Sequence, residues 1–220
     1  MPRYFAIVPA AGHSTRMGRP KLLLPLAGTP LVLHTISAWR QGGVDSITAV
    51  ARGDDESLAS ILQSAGVDVV VPPLPPPDMK ASVQAALSHI ERLHAPAADD
   101  AFLVAPADLP HLSPEMIRAL IARHAREAGW LLVPTLAGRR GHPALYPWPL
   151  ARAVFALTSN EGLNALAGRF PLEEIACDGL LPDGSRPFAD IDTPEQYRAA
   201  GGEYEGGQKE PRTEEPKNQS

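Results

Sequence analysis

From Pro9 to Leu31 the chain reads PAAGHSTRMGRPKLLLPLAGTPL, and most of the residue types that handle a charged ligand are gathered there. Ala10, Ala11 and Gly12 are small enough to let backbone approach a bound molecule closely, and Gly18 admits a positive φ. Ser14 and Thr15 add hydroxyl groups, while Arg16, Arg19 and Lys21 add positive charge. Exposed amides and converging cations on a tight loop are what a polyphosphate needs. The spacing is neither the G-x-x-x-x-G-K-[ST] of a Walker A loop nor a G-x-G-x-x-G dinucleotide fingerprint. The plain alternative is a solvated basic turn.

Three further groups could complete such a site. Asp108 stands in Pro106-Ala107-Asp108-Leu109-Pro110, a lone carboxylate in a turn stiffened from both sides. A hard cation such as Mg2+ takes one or two carboxylates and fills its shell with phosphate oxygens. Asp190 and Asp192, in Asp190-Ile191-Asp192-Thr193-Pro194, form a second acidic pair, of which one is expected to face the site. Gly141-His142-Pro143 fixes a histidine between a glycine and a proline. Each has an ordinary explanation as well: a turn or helix cap for the aspartates, a surface or packed side chain for the histidine.

Charge points to a small anion as ligand. The 220 residues carry a net charge of −5, which argues against a nucleic-acid binder. Yet the first 44 residues hold five basic side chains and no acidic one, so that segment is +5 and the remainder −10. A basic loop in an acidic protein suits a phosphate better than a polymer. The single cysteine, Cys177, excludes an intramolecular disulfide framework. No apolar run approaches the ~20 residues of a spanning helix, and the apolar stretch before Pro9 is too short for a signal peptide. A cytoplasmic protein without a membrane partner is expected.

The elements that must position these residues alternate. Tyr4–Pro9 reads as a buried strand, and Thr29-Pro30 as a helix start with Val32, Ile36 and Trp39 on one face. Ser46–Ala51 is a strand, Asp54 or Asp55 caps a helix, and Val67–Val71 is a third strand. Five prolines between Pro72 and Pro77 forbid a central strand and favour a stiff extended loop. A helix through Val83 and Ile90, a strand at Ala101–Ala105, a helix from Ser113-Pro114-Glu115 and a strand at Trp130–Pro134 follow. Glycines and prolines between Gly138 and Pro149 predict a hairpin or loop insertion. A helix is expected over Asn160–Leu166, irregular or β structure through Ala189, and a capping box at Thr193–Gln196. From Gly201 the chain has no aliphatic residue, which predicts a disordered tail over 201–220. Apolar strands alternating with amphipathic helices imply a parallel sheet covered on both faces, with ligands at the carboxyl ends of its strands.

Taken together, A-A-G-x-S-x-R-M-G-x-P-K-L-L-L-P-L-x-G-x-P-L from Ala10 to Leu31 resembles the nucleotidyltransferases of molybdenum-cofactor biosynthesis, most of all the molybdenum cofactor cytidylyltransferase family. The likeness continues through Ala107-Asp108-Leu109-Pro110, Arg140–Tyr146 and Asp190–Glu195, and covers residues 4–200. It implies an α/β, three-layer Rossmann-like nucleotidyltransferase (glycosyltransferase-A-like) fold with a mostly parallel central sheet, as one domain over residues 1–200. It also implies transfer of a nucleoside monophosphate from a triphosphate to a phosphorylated acceptor, with release of pyrophosphate. Ala10, Ala11, Gly12, Ser14, Arg16 and Lys21 would hold the nucleotide, and Arg16, Lys21 and Asp108 would serve catalysis. Asp108 with Asp190 or Asp192 would hold Mg2+, and Gly141, His142 and Pro143 would meet the acceptor. Ala10-Ala11-Gly12, where guanylyltransferases more often have Ala-Gly-Gly, and the Gly-His-Pro run favour CTP over GTP. The implied acceptor is a molybdopterin, and a molybdoenzyme or its chaperone would receive the product. GTP, another phosphorylated acceptor such as a sugar 1-phosphate or phospholactate, and a non-catalytic binding module are the alternatives. The chain departs from the family pattern at Pro9, in place of leucine, and at Asp78–Ser82, where Lys80 and Ala81 occupy an expected glycine region.

Overall fold

The computed structural model describes residues 1–204. In chain order the strands are β1 (Tyr4–Pro9), β2 (Pro25–Leu26), β3 (Thr29–Pro30), β4 (Ser46–Val50), β5 (Asp68–Val70), β6 (Ala101–Val104), β7 (Leu131–Leu136), β8 (Arg139–Arg140), β9 (Ala144–Pro147) and β10 (Leu172–Ala176). The helices are α1 (Leu31–Gly42), α2 (Glu56–Ser64), α3 (Met79–His94), α4 (Pro114–Arg126), α5 (Ala151–Phe155) and α6 (Pro194–Ala199).

The main sheet runs β10-β7-β9-β6-β1-β4-β5, with β8 paired to β7. β1 is parallel to both β4 and β6, β4 to β5, and β10 to β7. β9 is antiparallel to its neighbours β6 and β7. The insertion expected between Gly138 and Pro149 therefore carries two strands, and Gly141-His142 lies in the connection between them.

Period-two alternation builds the layers. Tyr4, Ala6 and Val8 of β1 face one side with Ile36 and Trp39 of α1, Leu58 of α2 and Leu120 of α4. Phe5 and Ile7 face the other with Val83, Leu87 and Ile90 of α3 and Val154 of α5. Both faces of β1 are thus fully covered, each large side chain contributing about 1.5–3 kcal/mol by leaving water.

Capping residues set the helix starts. Asp55 accepts from Leu58 N at 3.2 Å, Asp78 from Ala81 N at 2.7 Å, and Ser113 from Met116 N at 3.2 Å ahead of Pro114. Thr193 and Gln196 form the expected capping box. Thr29-Pro30 departs from expectation: it is a strand, and Pro30 instead of Thr29 stands at the N-cap of α1, with no side-chain capping bond. Ala27 and Gly28 both have positive φ (48° and 79°), the geometry of a two-residue hairpin, which pairs Leu26 with Thr29 and delays α1 to Leu31. The helix expected over Asn160–Leu166 is a 3-10 segment at Leu163–Gly168. Of the tail expected from Gly201, Tyr204 is packed onto the body, its hydroxyl donating to Met17 O at 2.5 Å. The rest of that tail, residues 205–220, lies outside the described residues.

The chain leaves β1 towards β4 on one side and reaches β6 on the other only after α3 has crossed the opposite face. The loops after β1 and β6 stand side by side at the carboxyl ends of two adjacent parallel strands, the end of an open α/β sheet where ligands bind.

Candidate functional site

A cleft of about 440 Å³ opens at this point, lined by Pro9 to Arg16, Lys21, Ser82, Pro106 to Asp108, and Asp192. Its floor is anchored by the sheet: Ala10 N donates to Val50 O at 2.9 Å and Ala107 N to Pro9 O at 3.2 Å. Beyond Ala10 the loop lifts away, and the amides of Ala11, Gly12 and His13 have no backbone acceptor among the described residues. A Cβ on Gly12 would project into open space, so its absence widens the cleft. Ser14 turns the loop with a positive φ of 50° and accepts from Lys21 N at 3.3 Å.

Four charged side chains meet at the rim. Lys21 Nζ lies 2.6 Å from Asp108 Oδ2 and 2.5 Å from Asp192 Oδ1, and Arg16 lies 2.7 Å from Asp192 Oδ2. Burial by itself would depress the Lys21 pKa, but Asp108 and then Asp192 outweigh it and hold the ammonium above its ordinary value. The hydrogen bond from Lys21, against the opposing effect of burial, keeps the Asp192 carboxyl below the usual range, and Arg16 adds to the effect. Asp108 Oδ1 is buried without a hydrogen-bond partner. Among the described residues no three His, Cys, Asp or Glu side chains gather as a metal cluster. Two facing carboxylates, one with an unsatisfied oxygen, nevertheless fit a hard cation whose remaining ligands come from phosphates and water.

Asp192 reaches the cleft because Ile191, which is buried, donates its N–H to Asp108 O at 3.1 Å and stitches the two acidic segments together. Asp190 does not join them. A regular strand would put residues two apart on one face, but residues 189–192 are irregular, and Asp190 is exposed in a separate cavity beside His111, Arg139 and Phe188.

The cleft shares Asp78 and Met79 with a larger cavity of about 720 Å³ lined by Tyr146, Gly141, His142, Phe188 and the turn from Ser159 to Asn164. The Phe188 ring packs so closely on Gly141 that a Cβ there would lie 2.2 Å from it. Burial pushes the His142 pKa below the ordinary imidazole value, and its Nδ1 is buried without a partner. Pro143 is buried behind this wall rather than lining it.

Sequence reasoning missed three supporting residues. Thr35, buried on α1, has its hydroxyl 3.0 Å from both Ala107 O and Leu109 O and shares its one proton between the carbonyls on either side of Asp108. A hydroxyl on the apolar face of α1, beside Val32, Ile36 and Trp39, was the available signal. Arg52 donates to Gly12 O at 2.8 Å. Lys80 turns from the cleft and donates to the carbonyls of Thr158, Ser159 and Glu161 at 2.5, 3.2 and 2.9 Å, tying α3 to the wall of the larger cavity.

Comparison with known proteins agrees with this geometry. The MobA-like NTP transferase domain matches residues 6–174, and the chain belongs to that family. It is similar to a probable molybdenum cofactor guanylyltransferase of Natronomonas pharaonis, 28% identical over 199 residues, covering 88% of this chain and 95% of that one. A 2-C-methyl-D-erythritol 4-phosphate cytidylyltransferase of Ralstonia nicotianae is 32% identical over 133 residues, 58% of this chain and 52% of its own. Among solved structures, Rv0371c of Mycobacterium tuberculosis superposes with a TM-score of 0.74 at 29% identity, over 90% of this chain and 97% of that one. A second structure of that protein is a complex with manganese. The chain is a nucleotidyltransferase with a Rossmann-like, mostly parallel sheet. No helix among the described residues is long and apolar enough to cross a membrane.

Proposed function

We propose that this member of the MobA-like NTP transferase family transfers CMP from CTP to a molybdopterin-type acceptor in the cytoplasm and releases pyrophosphate. The observation that carries the reading is that the two cavities adjoin, with Asp78 and Met79 in the lining of both. The loop with free amides and the Lys21–Asp108–Asp192 cluster stands at one end, and the larger wall with His142 at the other, joined at Asp78 and Met79. An acceptor phosphate in the larger cavity then faces the α-phosphate of a nucleotide in the cleft.

Two anions must meet in this reaction, so positioning and charge compensation dominate the barrier. The amides of Ala11 and Gly12 bind phosphate oxygens, while Arg16 and Lys21 offset their charge. The acceptor phosphate is already ionised near neutral pH, so no general base is required. Its oxygen forms the bond to the α-phosphorus as the bond to the β-phosphate oxygen breaks, and the electron pair leaves with pyrophosphate. Asp108 and Asp192 are the residues that would hold Mg2+ or Mn2+, which supplies Lewis-acid polarisation of the phosphates when bound. His142 offers a ring nitrogen to the acceptor and Gly141 lets the Phe188 ring pack beside it, with Pro143 backing them. A molybdoenzyme or its chaperone is the natural recipient of the product.

CTP is favoured by Ala10-Ala11-Gly12 and Gly141-His142-Pro143. GTP is the second reading, favoured by the nearly full-length match to a molybdenum cofactor guanylyltransferase. Pyrophosphate release with molybdopterin and Mg2+, compared across CTP, GTP, ATP and UTP, separates them. Release with CTP alone is expected. A preference for GTP overturns the nucleotide assignment, and release only with a sugar phosphate overturns the acceptor.

A further inference from the structure

The Lys21 ammonium bridges the two carboxylates that would hold a divalent cation. Small oxygen-ligated cations sit about 2.0–2.1 Å from their ligands, and Nζ already lies 2.6 and 2.5 Å from one oxygen of Asp108 and one of Asp192. The two cations therefore exclude each other. Arg16 and Lys21 balance Asp108 and Asp192 in charge, so an ion entering with the ammonium in place meets a charge-neutral cluster instead of a vacant dicarboxylate.

The contact is also built to break. Lys21 begins a three-residue 3-10 turn, and its ammonium rides on a flexible four-carbon stem that can swing without moving the backbone. Asp108 Oδ1 stays unsatisfied while the lysine holds Oδ2, so this carboxylate has capacity that an ammonium leaves unused. The cleft beside it offers amides without a backbone acceptor to a triphosphate, which would give the ammonium another anion.

We infer that Lys21 is a cationic placeholder: in the nucleotide-free protein it holds Asp108 and Asp192 together and keeps a divalent cation out, releasing them only when a triphosphate draws the ammonium away. Metal and nucleotide then bind with positive, reciprocal coupling, and the ion enters only when there is a phosphate for it to act on. The inference rests on the metal-assisted reading above. Its test reads ion binding rather than turnover, so failure of one is distinguishable from failure of the other.

Mn2+ binding to nucleotide-free protein, followed by the loss of the free-ion electron paramagnetic resonance signal, gives that test. Wild type is compared with Lys21→Met, Lys21→Gln and the double variant Lys21→Met/Asp108→Asn, each checked for fold by circular dichroism. Lys21→Gln keeps an amide donor to the carboxylates, in case the apolar variant fails to fold. Both single variants are expected to bind Mn2+ about tenfold tighter than wild type, within the usual range of coupling between sites. The double variant is expected to lose that gain. Single variants that bind no tighter than wild type, or a gain that survives in the double variant, would overturn the inference.

Discussion

The Arg52 guanidinium donates to the carbonyl of Gly12 at 2.8 Å, so the residue just after β4 holds the crest of the loop that follows β1. The same side chain is steadied by Asp54 at 2.7 Å. A loop with free amides binds phosphate well only if those amides stay aimed, and this bond fixes one of its peptide planes. Arg52→Ala is expected to raise the nucleotide KM about tenfold, equivalent to about 1.4 kcal/mol. The melting temperature should fall only modestly, because both partners of the arginine, Gly12 and Asp54, are exposed. Steady-state kinetics with thermal melting of both proteins decides it: an unchanged KM removes Arg52 from the site.

Thr35 does for Asp108 what Arg52 does for Gly12, from the buried side. Its hydroxyl reaches the carbonyls of both Ala107 and Leu109. Thr35→Val keeps the shape of the side chain and deletes only the hydroxyl, leaving buried carbonyls less satisfied at a cost of about 1–3 kcal/mol. Because small misplacements at a reacting centre are costly, kcat should fall more than nucleotide affinity. Equal losses in both would mean that Thr35 supports only the fold.

These two residues also mark how far the sequence could be read. β1, α4 and α6 were legible because their determinants are local: an apolar run, a Ser-Pro-Glu start, a capping box. The basic loop and Asp108 were legible because their residue types announce charge chemistry. Thr29-Pro30 was misassigned because an N-cap pattern competed with a hairpin made by two positive-φ residues just before it, Ala27 and Gly28. The choice between Asp190 and Asp192 depended on a hydrogen bond from Ile191 to Asp108, across the fold, which no local pattern encodes. Arg52, Thr35 and Lys80 act through backbone carbonyls far away in sequence, and a carbonyl leaves no trace in residue type. Tyr204 was assigned to a tail poor in apolar residues, yet its ring lies 4.7 Å from the Arg19 guanidinium and 5.5 Å from that of Arg198.

Lys80 is a buried ammonium whose near partners are three carbonyls of one turn, with the Asp78 carboxylate farther off at 3.8 Å. Lys80→Met fills most of the same space but strands those carbonyls, so a loss of about 2–4 kcal/mol in stability is expected. For a chain of this size that lowers the melting temperature by roughly 4–16 °C. The same turn lines the larger cavity, so acceptor KM should rise while nucleotide binding holds. Calorimetry together with separate titrations of the two substrates measures both effects. A variant as stable as wild type would mean that water replaces the ammonium at no cost.

Asp100 makes stability sensitive to acid. Its buried carboxylate accepts from the N–H groups of Arg3 and Ala97 at 2.7 and 2.9 Å, and from the Arg3 side chain at 2.7 and 3.1 Å. Burial alone would raise its pKa, but these donors together hold it below the usual carboxylate value. A carboxyl whose folded pKa lies below its unfolded one, ~3.9, stabilises the fold fully above that pH and loses its contribution as pH falls through the folded value. Asp100→Asn should cost about 2–4 kcal/mol at neutral pH, because it removes the charge that the Arg3 guanidinium is paired with. Urea unfolding of both proteins from pH 8 to 2 tests the sign. The gap between them should stay constant down to pH ~5 and close below pH ~4, as the wild-type carboxylate takes up its proton. A gap that persists unchanged at pH 2 would show that the variant is weakened by lost packing and not by lost charge.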